Sequence, residues 1–372
     1  MADFTLDWGR CPRWLFDRMV RLARAIGIAV IREFGPEEFL KRLADPVWFQ
    51  SLGCVLAFDW NASGLTTTTL GALKFAFRGL EKDLGIFICG GKGKTSRKTP
   101  DEIKNWGWRL SLDEEKVKRL IYSSRAAAKV DSSLVQDGFQ IYHHNFIFVK
   151  NGQWTVIQQG MNIEKGKARR HHWWGDEKKD FIDAPHCGIA SQVFLKNVLD
   201  LTAPKSQKNR EVGVELVQSS KTLWRDLALL KSTQDDWQFK ILKLPGGEFS
   251  HHPVEREFLN FESPQFKKAL NQAVINRPDN FEKLLMTKGV GPKTIRAISL
   301  VAEVIYAAKP SYEDPARYTF AHGGKDGTPY PVNRKVYDES LAIIEKAIRQ
   351  TNGLTLKEKS QASWRAEKAL GN

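Results

Sequence analysis

From Pro12 to Phe34 the apolar residues Trp14, Leu15, Met19, Leu22, Ile26, Val30 and Ile31 recur at helical spacing, with Arg18, Arg21 and Arg24 on another stripe. That periodicity predicts an amphipathic helix with a basic flank. Gly35-Pro36 ends it, Pro36-Glu37-Glu38 opens a short second helix, and Asp45-Pro46 stops the second in turn. Two short apolar runs then read as buried strands. Val55-Leu56-Ala57-Phe58 leads into Asp59-Trp60-Asn61, and Gly85-Ile86-Phe87-Ile88-Cys89 leads into Gly90-Gly91-Lys92-Gly93-Lys94. Strand ends bearing carboxylates and glycines commonly line clefts.

Apolar β-formers on each side of Asn151-Gly152 predict a hairpin, because that dipeptide takes the positive φ angles of a type I′ turn. A two-residue loop pairs Lys150 with Gln153 and, counting outward, Val149 with Trp154, Phe146 with Ile157, Asn145 with Gln158, and His144 with Gln159. Near the turn both faces are apolar, as in a strand pair covered on both sides. Farther out, His143, His144 and Asn145 face Gln158, Gln159 and Gly160. Burying those groups unpaired would cost a few kcal/mol, roughly, so a polar site or water-filled cleft is expected there.

A basic aromatic stretch follows, with Lys165, Lys167, Arg169, Arg170, His171, His172, Trp173, Trp174, Lys178 and Lys179. It reads either as phosphate contact with base stacking or as a solvated loop whose tryptophans enter the core. From Ser191 to Lys231 the pattern is helical, interrupted at Pro204, and Ser263 to Arg349 reads as a compact helical region. The fold class expected is α+β. An N-terminal mixed α/β domain with a central β-hairpin (1–190) precedes a helical connector (191–262), an all-helical domain (263–350) and a polar tail (351–372).

Composition narrows the partners. The 372 residues carry a formal net charge of +14, which favours a polyanion, and 42% hydrophobic residues with 12 Trp and 21 Phe supply a substantial core. No apolar run approaches a bilayer span and the N-terminus lacks a signal-peptide pattern, so a cytoplasmic protein without a membrane partner is expected. Cys11, Cys54, Cys89 and Cys187 show no paired spacing, which leaves reduced thiols as the default.

Gly289-Val290-Gly291-Pro292-Lys293-Thr294 lies between two helical runs, and it is the segment most directly tied to a partner. The glycines allow a tight turn, Pro292 suits the first helical position, and the bared amides sit at the positive end of the helix dipole. The segment resembles the helix-hairpin-helix element of DNA-repair and recombination proteins, which implies contacts from Gly289, Gly291, Lys293 and Thr294 to a sugar-phosphate backbone. DNA is the expected partner, with RNA as the alternative. Arg169, Arg170, Trp173 and Lys325 are further candidates for nucleic-acid contact.

For a reaction, Asp59, Asp131 and Asp137 are candidate ligands of Mg²⁺ or Mn²⁺, foremost Asp59 and Asp137. His144 is the candidate general base or ligand, while Lys92 and Lys94 would steady a phosphate. The basic loop lacks Walker spacing, so no nucleotide cofactor is expected. Phosphodiester cleavage by a metal-dependent nuclease is the leading reading. Lys293 also occupies the place of the Schiff-base lysine in endonuclease III-type glycosylases, which implies an abasic-site lyase. That reading wants a downstream aspartate, for which Asp314 is a loose candidate and Asn333 is unsuited. A non-catalytic DNA-binding module is the third reading.

Pro12-Arg13-Trp14-Leu15, Leu52-Gly53-Cys54-Val55 with Phe58-Asp59-Trp60, the Gly90 to Lys94 run, Gln136-Asp137-Gly138 to His143-His144, Gln158 to Asn162 and His322-Gly323-Gly324-Lys325-Asp326-Gly327 together resemble one known family. It is the archaeal and bacterial family called domain of unknown function 763. The resemblance covers nearly the whole chain and implies a prokaryotic intracellular protein, with no reaction attached. The chain departs from the family pattern at Asp7-Trp8-Gly9-Arg10, where a His-Gly-Gly-Lys-like stretch is expected, and at Asn333, where an aspartate is.

Overall fold

The structure is a computed structural model that describes residues 11–57, 63–191, 194–235, 263–318 and part of 334–345. Helix α1 (Arg13–Phe34) buries Leu15, Met19, Leu22 and Ile31 of the expected stripe and adds Ile28, while Arg24, expected on the basic flank, is buried and donates to Ala76 O at 2.7 Å. Gly35, at φ +86°, turns the chain into α2 (Pro36–Ala44). The carboxylate of Asp45 then accepts the amides of Val47 and Trp48 at 2.7 and 2.9 Å, capping a third helix, α3 (Pro46–Val55). The strand expected from Val55 to Phe58 is therefore corrected: Val55 closes α3, and Leu56-Ala57 form a turn. A four-residue apolar run has no periodicity of its own, and here the cap upstream decides its conformation. Helix α4 (Gly64–Phe77) crosses α1 where Gly27 leaves room for the Phe77 ring, 2.5 Å from where a Cβ would stand.

After the short α5 (Glu81–Leu84), β1 (Phe87–Lys92) enters the main sheet. A 3₁₀ turn (Gly93–Lys98), α6 (Thr99–Arg109), α7 (Glu114–Ser133) and β2 (Val135–Gln136) lead to β3 (Gln140–Phe148), β4 (Trp154–Asn162), β5 (Lys167–Gly175) and β6 (Gly188–Ser191). The sheet has the order β1-β3-β4-β5-β6 with every neighbouring pair antiparallel. Its two faces enter different cores. Phe87, Phe146, Phe148, Trp154 and Trp173 join α6, α7 and the C-terminal helices, whereas Ile88, Ile147, Val149 and Ile157 join α1 to α4. A sheet covered on both faces accounts for the apolar runs near the hairpin.

The hairpin register is corrected by one residue. Phe148 pairs with Trp154, and the inner pairs are Phe146 with Val156, His144 with Gln158 and His143 with Gln159. The amide of Val149 bonds Gln153 O at 3.0 Å and that of Gly152 bonds Val149 O at 3.1 Å, with Gly152 at φ +100°. The connection is thus the longer form in which a left-handed glycine follows the turn, in place of a two-residue loop. A second irregularity between Ile141 and His143 shifts the register again.

Ser191 ends a strand, and β7 (Leu199–Asp200), paired with β2, stands where the start of a helix was expected. A 3₁₀ turn (Pro204–Ser206) then opens α8 (Gln207–Gln218) and α9 (Ser220–Asp235). Helices α10 (Pro264–Asn276), α11 (Phe281–Met286) and α12 (Pro292–Tyr306) complete the layer. Asn209 of α8 donates to Ser299 O and Ala308 O at 3.0 and 2.6 Å, so α8 is part of that layer's core. Downstream, Tyr337 and Leu341 join the N-terminal cluster, and Arg18 grips Asp338 through two bonds of 2.7 and 2.8 Å. Packing thus brings Tyr337, Asp338 and Leu341 back to the N-terminal helices.

Candidate functional site

Antiparallel pairing aligns Gly91, His144, Gln158, His171 and Ile189 in one row across β1, β3, β4, β5 and β6. Ser124 and Asp131 of α7 lie over this row. The amide nitrogen of Gln158 donates to Ala127 O at 3.0 Å and to the Asp131 carboxylate, which turns its oxygen toward His144 Nδ1 at 2.8 Å. His144 therefore carries its proton on Nδ1, and its Nε2 accepts the Ser124 hydroxyl at 2.9 Å. Burial holds the His144 pKa below its ordinary value and so keeps the ring neutral. Both nitrogens of the expected general base are engaged within a buried chain of bonds.

Asp131 is the centre of the group. It is 2% exposed, its Oδ2 accepts the indole N–H of Trp173 at 3.0 Å, and His186 Nε2 contacts its Oδ1. His171 Nδ1 stands 3.4 Å from Oδ2 without forming a hydrogen bond. Burial alone would raise the carboxyl pKa, but the two imidazoles outweigh it and hold the group ionised well below the usual range. The ring of His186 sits edge-on to Trp173, with centroids 4.6 Å apart. Among the described residues, Asp131, His171 and His186 are the set whose ligand atoms could close on one cation.

Asp137 has a different role from the metal ligand expected. Its Oδ2 and that of Asp314 each accept from Arg169, at 2.7 Å, and all three side chains are buried. The same carboxylate oxygen of Asp314 takes the Leu195 amide at 2.7 Å. Burial leaves the Asp137 pKa raised despite the guanidinium. Asp314, the loose lyase candidate, is likewise committed to Arg169. The nucleic-acid contacts expected from Arg169, Arg170 and Trp173 are corrected: β5 runs between β4 and β6, and all three side chains are fully enclosed. Arg170 points to the opposite face, where it bonds His172 Nε2 at 2.7 Å and Gln50 Oε1 at 2.9 Å and lies over the Phe49 ring.

The row containing Lys92, His143, Gln159 and Arg170 lies on that opposite face as well. Gln159 donates to Ser63 O at 3.0 Å and to the Tyr142 hydroxyl, and the ring of His143 is buried. Burial first, and the neighbouring His144 second, push the His143 pKa down to about 3. The glycine run is strand where a flexible loop was expected: Gly90 at φ +89° brings β1 so near β3 that a Cβ would stand 2.2 Å from His144 O. Lys92 lies near the Tyr142 ring, and Lys94 is exposed on the 3₁₀ turn. Because Lys92 shares the His143 face, it is separated from Asp131 by the sheet. Asp59, Lys325, Asn333 and the Asp7 to Arg10 stretch lie outside the described residues.

The turn between α11 and α12 has the shape expected of its glycines. Gly289 takes φ +88°, Val290 is buried, and Gly291 caps α12 without a side-chain bond, ahead of Pro292. Lys288, Gly289, Pro292 and Lys293 are exposed, and a Cβ on Gly291 would meet nothing within 4 Å. Thr294 is corrected: its side chain is buried, so it cannot reach a strand outside. Lys129 Nζ donates to Thr287 O and Gln136 Nε2 to Pro292 O, both at 3.0 Å, which ties the turn to α7 and β2.

His186 carries no sequence signal of its own, and His171 stands within a basic aromatic stretch. The alternation of β5 places His171 and Trp173 on one face, but no ligand spacing joins His171 to His186 or to Asp131. No curated protein and no solved structure matches the chain. A family model described as protein of unknown function (DUF763) matches residues 1–332, and by that span the chain belongs to the DUF763 family.

Proposed function

We propose that this protein binds DNA through its sugar-phosphate backbone, using the turn between α11 and α12 as the contact. The supporting observation is the exposure of Lys288, Gly289, Pro292 and Lys293 at an α12 N-terminus that no described side chain caps. Amides and the helix dipole favour an anion there, Lys293 adds a point charge, and the open space at Gly291 lets a backbone approach closely. The net charge of +14 supplies a sequence-independent attraction.

DNA binding is the part of the reading that these contacts support, and two of the residues expected to cleave are otherwise engaged. Asp137 neutralises Arg169 and His144 is closed within its own bonds, so these candidates offer no base or ligand. The test is fluorescence anisotropy with a labelled duplex over a salt series, comparing the protein with Lys293→Gln and Lys288→Gln. Each substitution should weaken binding evenly across sequences and reduce the salt slope by about 1. Unchanged affinity and slope in both variants would refute the contact.

A further inference from the structure

The group around Asp131 carries an inference that is independent of DNA binding. We propose that Asp131, His171 and His186 form a binding site for a divalent transition-metal ion of the Zn²⁺ class. Their ligand atoms lie within 4.8 Å of one another. At Zn²⁺ bond lengths of about 2.0–2.2 Å, tetrahedral ligand atoms stand roughly 3.3 Å apart. The 3.4 Å between His171 Nδ1 and Asp131 Oδ2 matches that edge, whereas His186 Nε2 hydrogen-bonds Asp131 Oδ1 and has to draw back from it to admit an ion.

A second, independent observation is the His171 ring itself. It is 1% exposed, and its Nδ1, turned toward the carboxylate, has no geometrically sound hydrogen bond among the described residues. A cation held between that nitrogen and the carboxylate would satisfy both groups. Trp173 and Gln158 both donate to Asp131 Oδ2, which are the outer-shell bonds that orient a ligating carboxylate. Two imidazoles and one carboxylate favour Zn²⁺ and its transition-metal neighbours over Mg²⁺, which takes oxygen ligands. Three protein ligands leave a fourth position open, and His186 lies at the partly exposed edge of the group. Of the three carboxylates expected from the sequence as ligands the site uses Asp131, joined by two imidazoles and suited to a different class of metal.

The test uses the full chain, stripped with a chelator, dialysed and titrated calorimetrically with Zn²⁺. One ion per chain should bind, with a raised melting temperature and no displacement by excess Mg²⁺. His186→Ala and Asp131→Asn should each weaken binding more than about 100-fold, whereas Trp173→Phe, which keeps all three ligands and removes the indole bond to Asp131, should weaken it by about 10–100-fold. Circular dichroism reports whether each variant folds. Where a variant does not, Co²⁺ loaded into the unaltered protein should give the visible spectrum of a low-coordinate site with nitrogen and oxygen ligands. Absence of stoichiometric uptake by the unaltered protein, uptake undiminished in folded His186→Ala and Asp131→Asn, or a six-coordinate Co²⁺ spectrum would overturn the proposal.

Discussion

The indole N–H of Trp173 donates to Asp131 Oδ2 at 3.0 Å, joining an inner strand of the sheet to the helix that covers it. Both residues are buried, so loss of the donor leaves a charged acceptor short of one partner inside the protein. Trp173→Phe, compared with the unaltered chain by urea denaturation, should lose about 1–3 kcal/mol beyond what its smaller volume costs. A loss no greater than the volume change explains would show that the bond contributes nothing net.

Arg169 holds Asp137 and Asp314 together across 32 and 145 residues of sequence. Arg169→Met keeps much of the volume and removes the charge, leaving two buried carboxylates facing each other. Equilibrium denaturation should show a destabilisation of about 3–5 kcal/mol, partly restored when Asp137→Asn is added. Surface-like behaviour, with a loss under about 0.5 kcal/mol, would contradict the burial assigned to this group.

His143 sets an acid limit on stability. Its pKa falls from an unfolded value of about 6.5 to about 3 in the fold, so between those values the unfolded chain binds more protons. The stability associated with its neutral ring is complete above about pH 6.5 and is lost as pH falls toward 3, by up to about 1.4 kcal/mol per pH unit. His143→Gln should flatten the dependence of denaturation midpoint on pH in that window. An unchanged slope would place the proton uptake elsewhere.

Gly152 stands at φ +100°, where a side chain is strained even though only Glu177 lies nearby. Gly152→Ala should therefore destabilise by about 1–2 kcal/mol, and Asn151→Gly by less, as read from thermal melts. Equal effects would mean that the turn tolerates either geometry.

The parts of this fold legible in sequence are those set by local chemistry. The α1 stripe, its stop at Gly35 and the position of the hairpin at Asn151-Gly152 all follow from a few neighbouring residues. The hairpin register did not, because the same dipeptide serves two loop lengths that differ by one residue. Strand β5 was the least readable element: Arg169 and Arg170 resemble an exposed basic face, and only the distant Asp137, Asp314 and Gln50 reveal that they are enclosed. Asp131 was singled out, but His186 was not, since the three residues share no spacing and meet only through the sheet. The α11 to α12 turn lay at the other extreme, with Gly289 and Gly291 marking a local geometry that packing left intact.

Hydrogen–deuterium exchange with and without a DNA duplex tests the proposed contact most directly. Protection should appear at the amides of Lys288 to Gly291 and of Lys293 and Thr294 and fade as salt is raised, with little change in the sheet. Protection confined to other segments while the duplex is bound, or no protection at saturating duplex, would contradict the assignment of this turn as the DNA contact.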